Sequence, residues 1–157
     1  MMSPREYVLY VAQSCLGAKE GTTRHKTIVD IYNQYSPKNR PYKLTMQDPW
    51  CAAFVSSCFI AAGHPGLIPI ECSCWMMKKM GTDRGMLRDK TRFIPRPGDI
   101  VFYKWKGNSQ VSHVGIVSFV AGSRMEVIEG NYNDKVGIRK IKFSYPYIDS
   151  YLEVNYG

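Results

Sequence analysis

Five cysteines and three histidines occur among the 157 residues, and their settings are unequal. Cys51 follows Asp48-Pro49-Trp50 and opens an apolar segment, Ala52-Ala53-Phe54-Val55. Asp48 suits an N-cap and Pro49 the first helical position, so the spacing predicts a helix that ends at Gly63, with Cys51 at about its third position. Unpaired N–H groups and the helix dipole favour an anion there, which lowers a thiol pKa. With the Asp48 carboxylate capping the Trp50 N–H, the Cys51 N–H stays free to meet an oxyanion beside the sulfur. This is the setting of a thiolate nucleophile, which also needs a base and a group to orient that base.

His113 lies in the run Ser112-His113-Val114-Gly115-Ile116-Val117, a strand pattern in which a titratable ring needs a partner. The next strand pattern is Val127-Ile128-Glu129-Gly130-Asn131. Paired as a hairpin, the two strands let Glu129 or Asn131 reach the ring nitrogen that does not face Cys51. A Cys–His–Glu/Asn arrangement follows, with each role filled. Gln47 and Tyr42 are weaker candidates for a second oxyanion donor.

Helices must come first and strands after to position these groups. Ser3-Pro4-Arg5-Glu6 reads as a capping box with proline at the first helical position, ahead of an apolar segment over 7–16. A second helix is predicted over 23–35, stopped by Pro37, and a polar loop over 36–45. A short helix over 73–80 precedes an irregular basic connection over 85–97. Strands are predicted over 99–103, 112–120, 125–129, 136–143 and 148–154, where β-branched and aromatic residues concentrate. This order argues an α+β fold, N-terminal helices packed on a C-terminal antiparallel sheet, rather than a βαβ fold.

Length and composition describe one globular domain over 1–157. Hydrophobic residues make up 45% of the chain, enough for a core, and 11 Tyr, 6 Phe and 3 Trp exclude a disordered basic tail. No apolar run is long enough to span a membrane. The net charge is +8, and the window 78–106 carries +6 of it. Such a face attracts polyanions, among them an anionic bacterial wall polymer, yet no nucleic-acid motif accompanies it. Residues 1–6 lack the pattern of a signal peptide, so synthesis in the cytoplasm and free thiols are expected. Cys15 and Cys58 fall on apolar helical faces. Cys72 and Cys74, with His64 nearby, lack the paired ligand spacing of a structural zinc site, so no metal is expected. Trp50 and Trp105 suit a groove wall or a core equally.

Four blocks taken together resemble the CHAP family of NlpC/P60-like, papain-related peptidoglycan hydrolases. They are Asp48-Pro49-Trp50-Cys51-Ala52-Ala53-Phe54-Val55, Pro97-Gly98-Asp99-Ile100-Val101, His113-Val114-Gly115-Ile116-Val117 and Ile128-Glu129-Gly130-Asn131, in the family's order. The resemblance spans roughly residues 7–151. It implies a papain-like fold, a cysteine nucleophile at Cys51, a general base at His113, an orienting acid at Glu129 and a supporting role for Asn131. The implied activity is cleavage of amide bonds in bacterial wall peptides, as an N-acetylmuramoyl-L-alanine amidase or an endopeptidase. A single Asp in residues 42–48 does not match the calcium loop of some relatives, so no cofactor or metal is implied. A monomer without a separate wall-binding module is expected, acting on the wall after release as a phage endolysin or delivery as an antibacterial effector. Two other readings compete: a basic binding module, and a thiol amidohydrolase or acyltransferase acting on a non-wall substrate.

Overall fold

The computed structural model describes residues 1–157. Four helices precede the strands that carry His113 and Glu129. Helix α1 (Pro4–Ser14) opens with the expected capping box: Ser3 accepts from the Glu6 N–H, and Glu6 accepts from the Ser3 N–H. Helix α2 (Thr23–Gln34) is capped by the Thr22 side chain. Helix α3 (Cys51–Ala61) is the central element, with Cys51 through Phe59 all buried. A helix buried on every side suits its sequence of Ala, Phe, Val and Cys, whose only hydroxyls find partners at once. Ser56 donates to the Glu71 carbonyl and Ser57 to the Ile28 carbonyl. A 3-10 turn (Pro65–Leu67) leads to α4 (Cys74–Asp83), capped by Ser73.

Six strands follow: β1 (Leu87–Asp89), β2 (Ile100–Tyr103), β3 (His113–Ala121), β4 (Arg124–Tyr132), β5 (Lys135–Lys142) and β6 (Ile148–Leu152). They form one antiparallel sheet in the order β1-β6-β2-β3-β4-β5. The α+β expectation holds, and no helix is long and apolar enough to cross a membrane. Strand β1 corrects the expectation of an irregular segment over 85–97. It has only three residues, too few to show an alternating pattern, and it exists because β6 supplies its backbone partners.

The sheet faces divide by alternation. Phe102, Val114, Ile116 and Ile128 join the main core under the helices. Val101, Tyr103, Val117, Met125, Val127 and Tyr151 build a second cluster on the opposite face. Register then places His113 opposite Tyr103, and Arg139 opposite Val127, on that second face. Glu129, two residues beyond Val127, joins them.

Two glycines set the approach of these layers. A Cβ on Gly130 would stand 2.5 Å from Phe54 Cβ, so α3 rests directly on the backbone of β4. A Cβ on Gly115 would meet Glu129 Cγ at 2.7 Å. Gly115 lies between His113 and Val117 on one face of β3, and its missing side chain is the space through which Glu129 passes to His113.

The Pro97-Gly98-Asp99 block anchors the sheet rather than a ligand. The buried Asp99 carboxylate accepts from the Arg96 and Val154 N–H groups, joining the start of β2 to the chain after β6.

Candidate active site

Cys51 is the first residue of α3, with Trp50 as N-cap and no side-chain cap. This corrects the expectation of an Asp48 cap and a third-position cysteine. Asp48 instead accepts from the Thr45 N–H at 2.8 Å and the Tyr42 hydroxyl at 2.9 Å, closing its own turn ahead of the helix. The consequence for the thiol is unchanged. The first helical bond runs from the Phe54 N–H to the Trp50 carbonyl, so the preceding N–H groups are left for the sulfur and for a ligand. The Ala52 N–H serves the Cys51 sulfur.

The N-terminus of α3 abuts the start of β3, with the Cys51 sulfur 4.0 Å from the Ser112 carbonyl oxygen. His113 follows Ser112 at that point and stands close enough to the sulfur for each group to favour the charged form of the other. On its far side, His113 Nε2 lies 2.8 Å from Glu129 Oε1. Nε2 is thus occupied, which leaves Nδ1 as the ring nitrogen free for Cys51. Glu129 is fully buried and His113 8% exposed, so their bond is shielded from water.

The electrostatics follow from these contacts. Cys51 is pulled well below the ordinary thiol value by the hydrogen bond from Cys74, against the penalty of burial, with His113 adding to the effect. Burial alone would lower His113. The hydrogen bonds to Cys51 and Glu129 overcome it and raise the imidazole to about 9. Each group thus favours the charged form of the other, a thiolate beside an imidazolium.

Two neighbours of this cluster escape sequence reading. Arg139 on β5 places Nε 3.0 Å from each oxygen of Glu129. Its guanidinium is sheltered by three rings, 4.7 Å from the Tyr132 centroid, 5.1 Å from Trp105 and 5.3 Å from Tyr103. The carboxylate thus has a cation on either side. Only the β4–β5 register brings Arg139 to the face of Glu129, and no spacing in the sequence signals it. The second neighbour is Cys74, whose sulfur is 3.4 Å from that of Cys51. Cys72, two residues earlier, lines the cavity beside Cys51, but its sulfur makes no contact with that of Cys51.

The remaining expectations separate. Asn131 occupies a left-handed conformation (φ 57°) at the register shift between Glu129 and Tyr132 in the β4–β5 ladder, and it hydrogen-bonds neither His113 nor Cys51. A cavity of about 330 Å³ opens on Cys51, with Tyr42, Asp48, Cys74, Trp75 and Ser112 in its walls. Tyr42 therefore reaches the site, whereas Gln47 is exposed outside it. Trp50 is core, its ring tilted against that of His25 and its Nε1 donating to Glu20. Trp105 lies beside His113, at 5.7 Å between ring centroids. No group of three or more His, Cys, Asp and Glu side chains is arranged to hold a metal ion.

Fold and site together define a papain-like α+β protein of the NlpC/P60 type, with a cysteine at a helix start and a histidine–glutamate pair on adjoining strands. The chain belongs to the CHAP domain family, whose family model matches residues 42–131. Solved structures share the fold at low identity. NlpC1 from Trichomonas vaginalis aligns with a TM-score of 0.54 and 17% identity over 98% of this chain and 45% of its own. Ly7917 aligns at 0.56 and 14%, over 98% of this chain and 63% of its own. This chain thus spans about half to two thirds of those two proteins. An N-acetylmuramoyl-L-alanine amidase from Bacteroides uniformis aligns at 0.52 and 11%, over 97% of this chain and 99% of its own. A search of curated proteins finds no match.

Proposed function

We propose that the protein hydrolyses an amide bond in the peptide of bacterial peptidoglycan, with Cys51 as nucleophile, His113 as general base and acid, and Glu129 as the group that orients His113. One observation carries the reading: Cys51 begins a buried helix beside a histidine whose other nitrogen is held at 2.8 Å by a fully buried glutamate. Membership of the CHAP family and the fold shared with the Bacteroides amidase support the wall peptide as substrate.

The steps follow from the geometry. The Cys51 thiolate attacks the amide carbonyl carbon, and the carbonyl oxygen takes the negative charge. The Cys51 N–H, uncapped at the helix start, stabilises that oxyanion. His113 donates its proton to the leaving amine as the thioester forms. It then draws a proton from water, whose oxygen attacks the thioester and frees Cys51. Glu129 holds the ring and stabilises its cationic form, and Arg139 holds Glu129. Asn131 supports the site at one remove, by shaping the end of β4.

The cavity beside Cys51 offers Tyr42 and Trp75, both exposed, as walls for a peptide or sugar. A separate cleft of about 620 Å³ includes Arg5, Arg84, Arg88 and Arg96 in its lining and gives anionic wall polymers a basic surface. In this reading the protein is a monomer that meets the wall after release or delivery from the cytoplasm, as a phage endolysin or an antibacterial effector would.

The test is digestion of purified peptidoglycan by wild type and Cys51→Ala, with products read by mass spectrometry. New termini with wild type, and a loss of more than about 10³-fold in the variant, are expected. A folded wild type inactive on several wall types would overturn the reading.

A further inference from the structure

The sulfurs of Cys51 and Cys74 lie 3.4 Å apart although 23 residues separate them in the chain. Each is the first residue of its helix, α3 and α4, and both line the same open cavity. A disulfide needs the sulfurs at about 2.05 Å, so a bridge requires them to close by only ~1.4 Å. Both thiols border the main core, yet each also lines the cavity, where a small solute can reach them.

We propose that Cys51 and Cys74 form a reversible redox-modification site for a hydroperoxide, with Cys51 as the thiol that is oxidised and Cys74 as the thiol that resolves it into a disulfide. This rests on the reading of Cys51 as the reactive thiolate. The Cys51 sulfur attacks one peroxide oxygen, the O–O bond breaks, and Cys51 becomes a sulfenic acid. The departing oxygen takes the His113 proton and leaves as water or an alcohol. The Cys74 sulfur then attacks the Cys51 sulfur, an S–S bond forms and the S–O bond breaks. The hydroxide leaves with the Cys74 proton as a second water. Two thiols supply the two electrons that reduce the peroxide. The asymmetry of the pair suits these roles, because its contacts favour the ionised form of Cys51, while the neighbouring Cys51 sulfur and burial favour the protonated form of Cys74. The bridge ties up the Cys51 sulfur and protects it from irreversible sulfinic acid, which a sulfenic acid without a thiol neighbour reaches.

The test treats the full chain with hydrogen peroxide, blocks free thiols with N-ethylmaleimide and maps the peptides. Residues 51–74 contain no Lys or Arg, so chymotrypsin rather than trypsin must separate the two cysteines. Wild type is expected to lose two hydrogens, to yield a linked Cys51–Cys74 peptide, and to regain alkylation at both sites after dithiothreitol. Cys72→Ser is expected to keep the link, since Cys72 leaves on the same peptide as Cys74. Cys74→Ala is expected to gain two oxygens at Cys51 that dithiothreitol does not remove. Wall-lytic activity of wild type should fall more than about tenfold and return on reduction, and that of Cys74→Ala should not return. Thiols that stay alkylatable, sulfinic acid at Cys51 of wild type, or a bridge to Cys72 would each overturn the proposal. The peptide map needs no wall substrate, so its failure is distinct from a failure of the hydrolase reading.

Discussion

Gly130 of β4 lies so close to Phe54 of α3 that an added Cβ would stand 2.5 Å from Phe54 Cβ and 3.2 Å from Trp50 Cε3. Three residues before Phe54 is Cys51, and one residue before Gly130 is Glu129. The contact thus locks the helix that carries the thiol to the strand that carries the carboxylate. Gly130→Ala is expected to push α3 outward, to lower stability by about 1–3 kcal/mol and to weaken peptidoglycan cleavage further than the loss of folded protein explains. Thermal unfolding and the digestion assay on the same samples check both parts.

Gly115→Ala tests the path of Glu129. The new methyl group would meet Glu129 Cγ and Val127 Cγ1, both closer than 3 Å. Glu129 is expected to swing away from His113. Activity should drop at least about tenfold while the protein still folds, because a flexible side chain can yield where backbone cannot. Unchanged cleavage would count against the role of Glu129.

Arg139 is expected to matter through Glu129. Arg139→Met leaves a fully buried carboxylate with His113 as its one charged partner and should cost about 2–3 kcal/mol of stability. His113 then faces a less compensated negative charge, so the alkaline limit of activity should move to higher pH. Arg139→Lys keeps the charge but loses the two-oxygen contact and the planar packing on Tyr132 and Trp105, and it should fall between wild type and Arg139→Met. Denaturant unfolding and a pH–rate profile separate the two effects.

The pH dependence has a definite sign. The proposed mechanism requires Cys51 ionised and His113 protonated. The first condition is met from well below the ordinary thiol value upward. The second is lost as pH rises through about 9. The kcat/KM profile should therefore be bell-shaped, with its alkaline limb near pH 9. Stability follows the same sign for His113: a folded value above the ordinary 6.5 contributes fully below 6.5 and is lost as pH rises through about 9.

Glu129→Gln should move the alkaline limb to lower pH, because the neutral amide no longer favours the imidazolium. It should also lower kcat by roughly 10²–10⁴, since an amide can hold the wrong ring tautomer. A profile that keeps its limb near pH 9 would count against Glu129 as the partner of His113.

Local physics made much of this legible in the sequence. Ser3, Pro4 and Glu6 announce a helix by satisfying its first N–H groups themselves. Strand alternation marks β3 and β4, and their adjacency in the chain makes a hairpin, so the meeting of His113 and Glu129 needs only short-range pairing. Cys51 at a helix start follows from the Pro49 signal to within two positions. The cap itself was not legible, because Asp48 has a nearer partner in the Thr45 N–H, and a side chain takes the donor its own turn presents.

What tertiary structure alone decided lies across greater distances. The strand β1 exists only as a partner of β6, far along the chain. Arg139 reaches Glu129 through the β4–β5 register, where a slip by one residue would turn it to the other face. Cys74 meets Cys51 because two helices converge with their N-termini at one cavity, and nothing in the spacing of 23 residues carries that convergence. The residue types that can do the chemistry, and the elements that hold them, are thus local properties. Which charge steadies Glu129 and which thiol faces Cys51 depend on how the packed core aligns those elements.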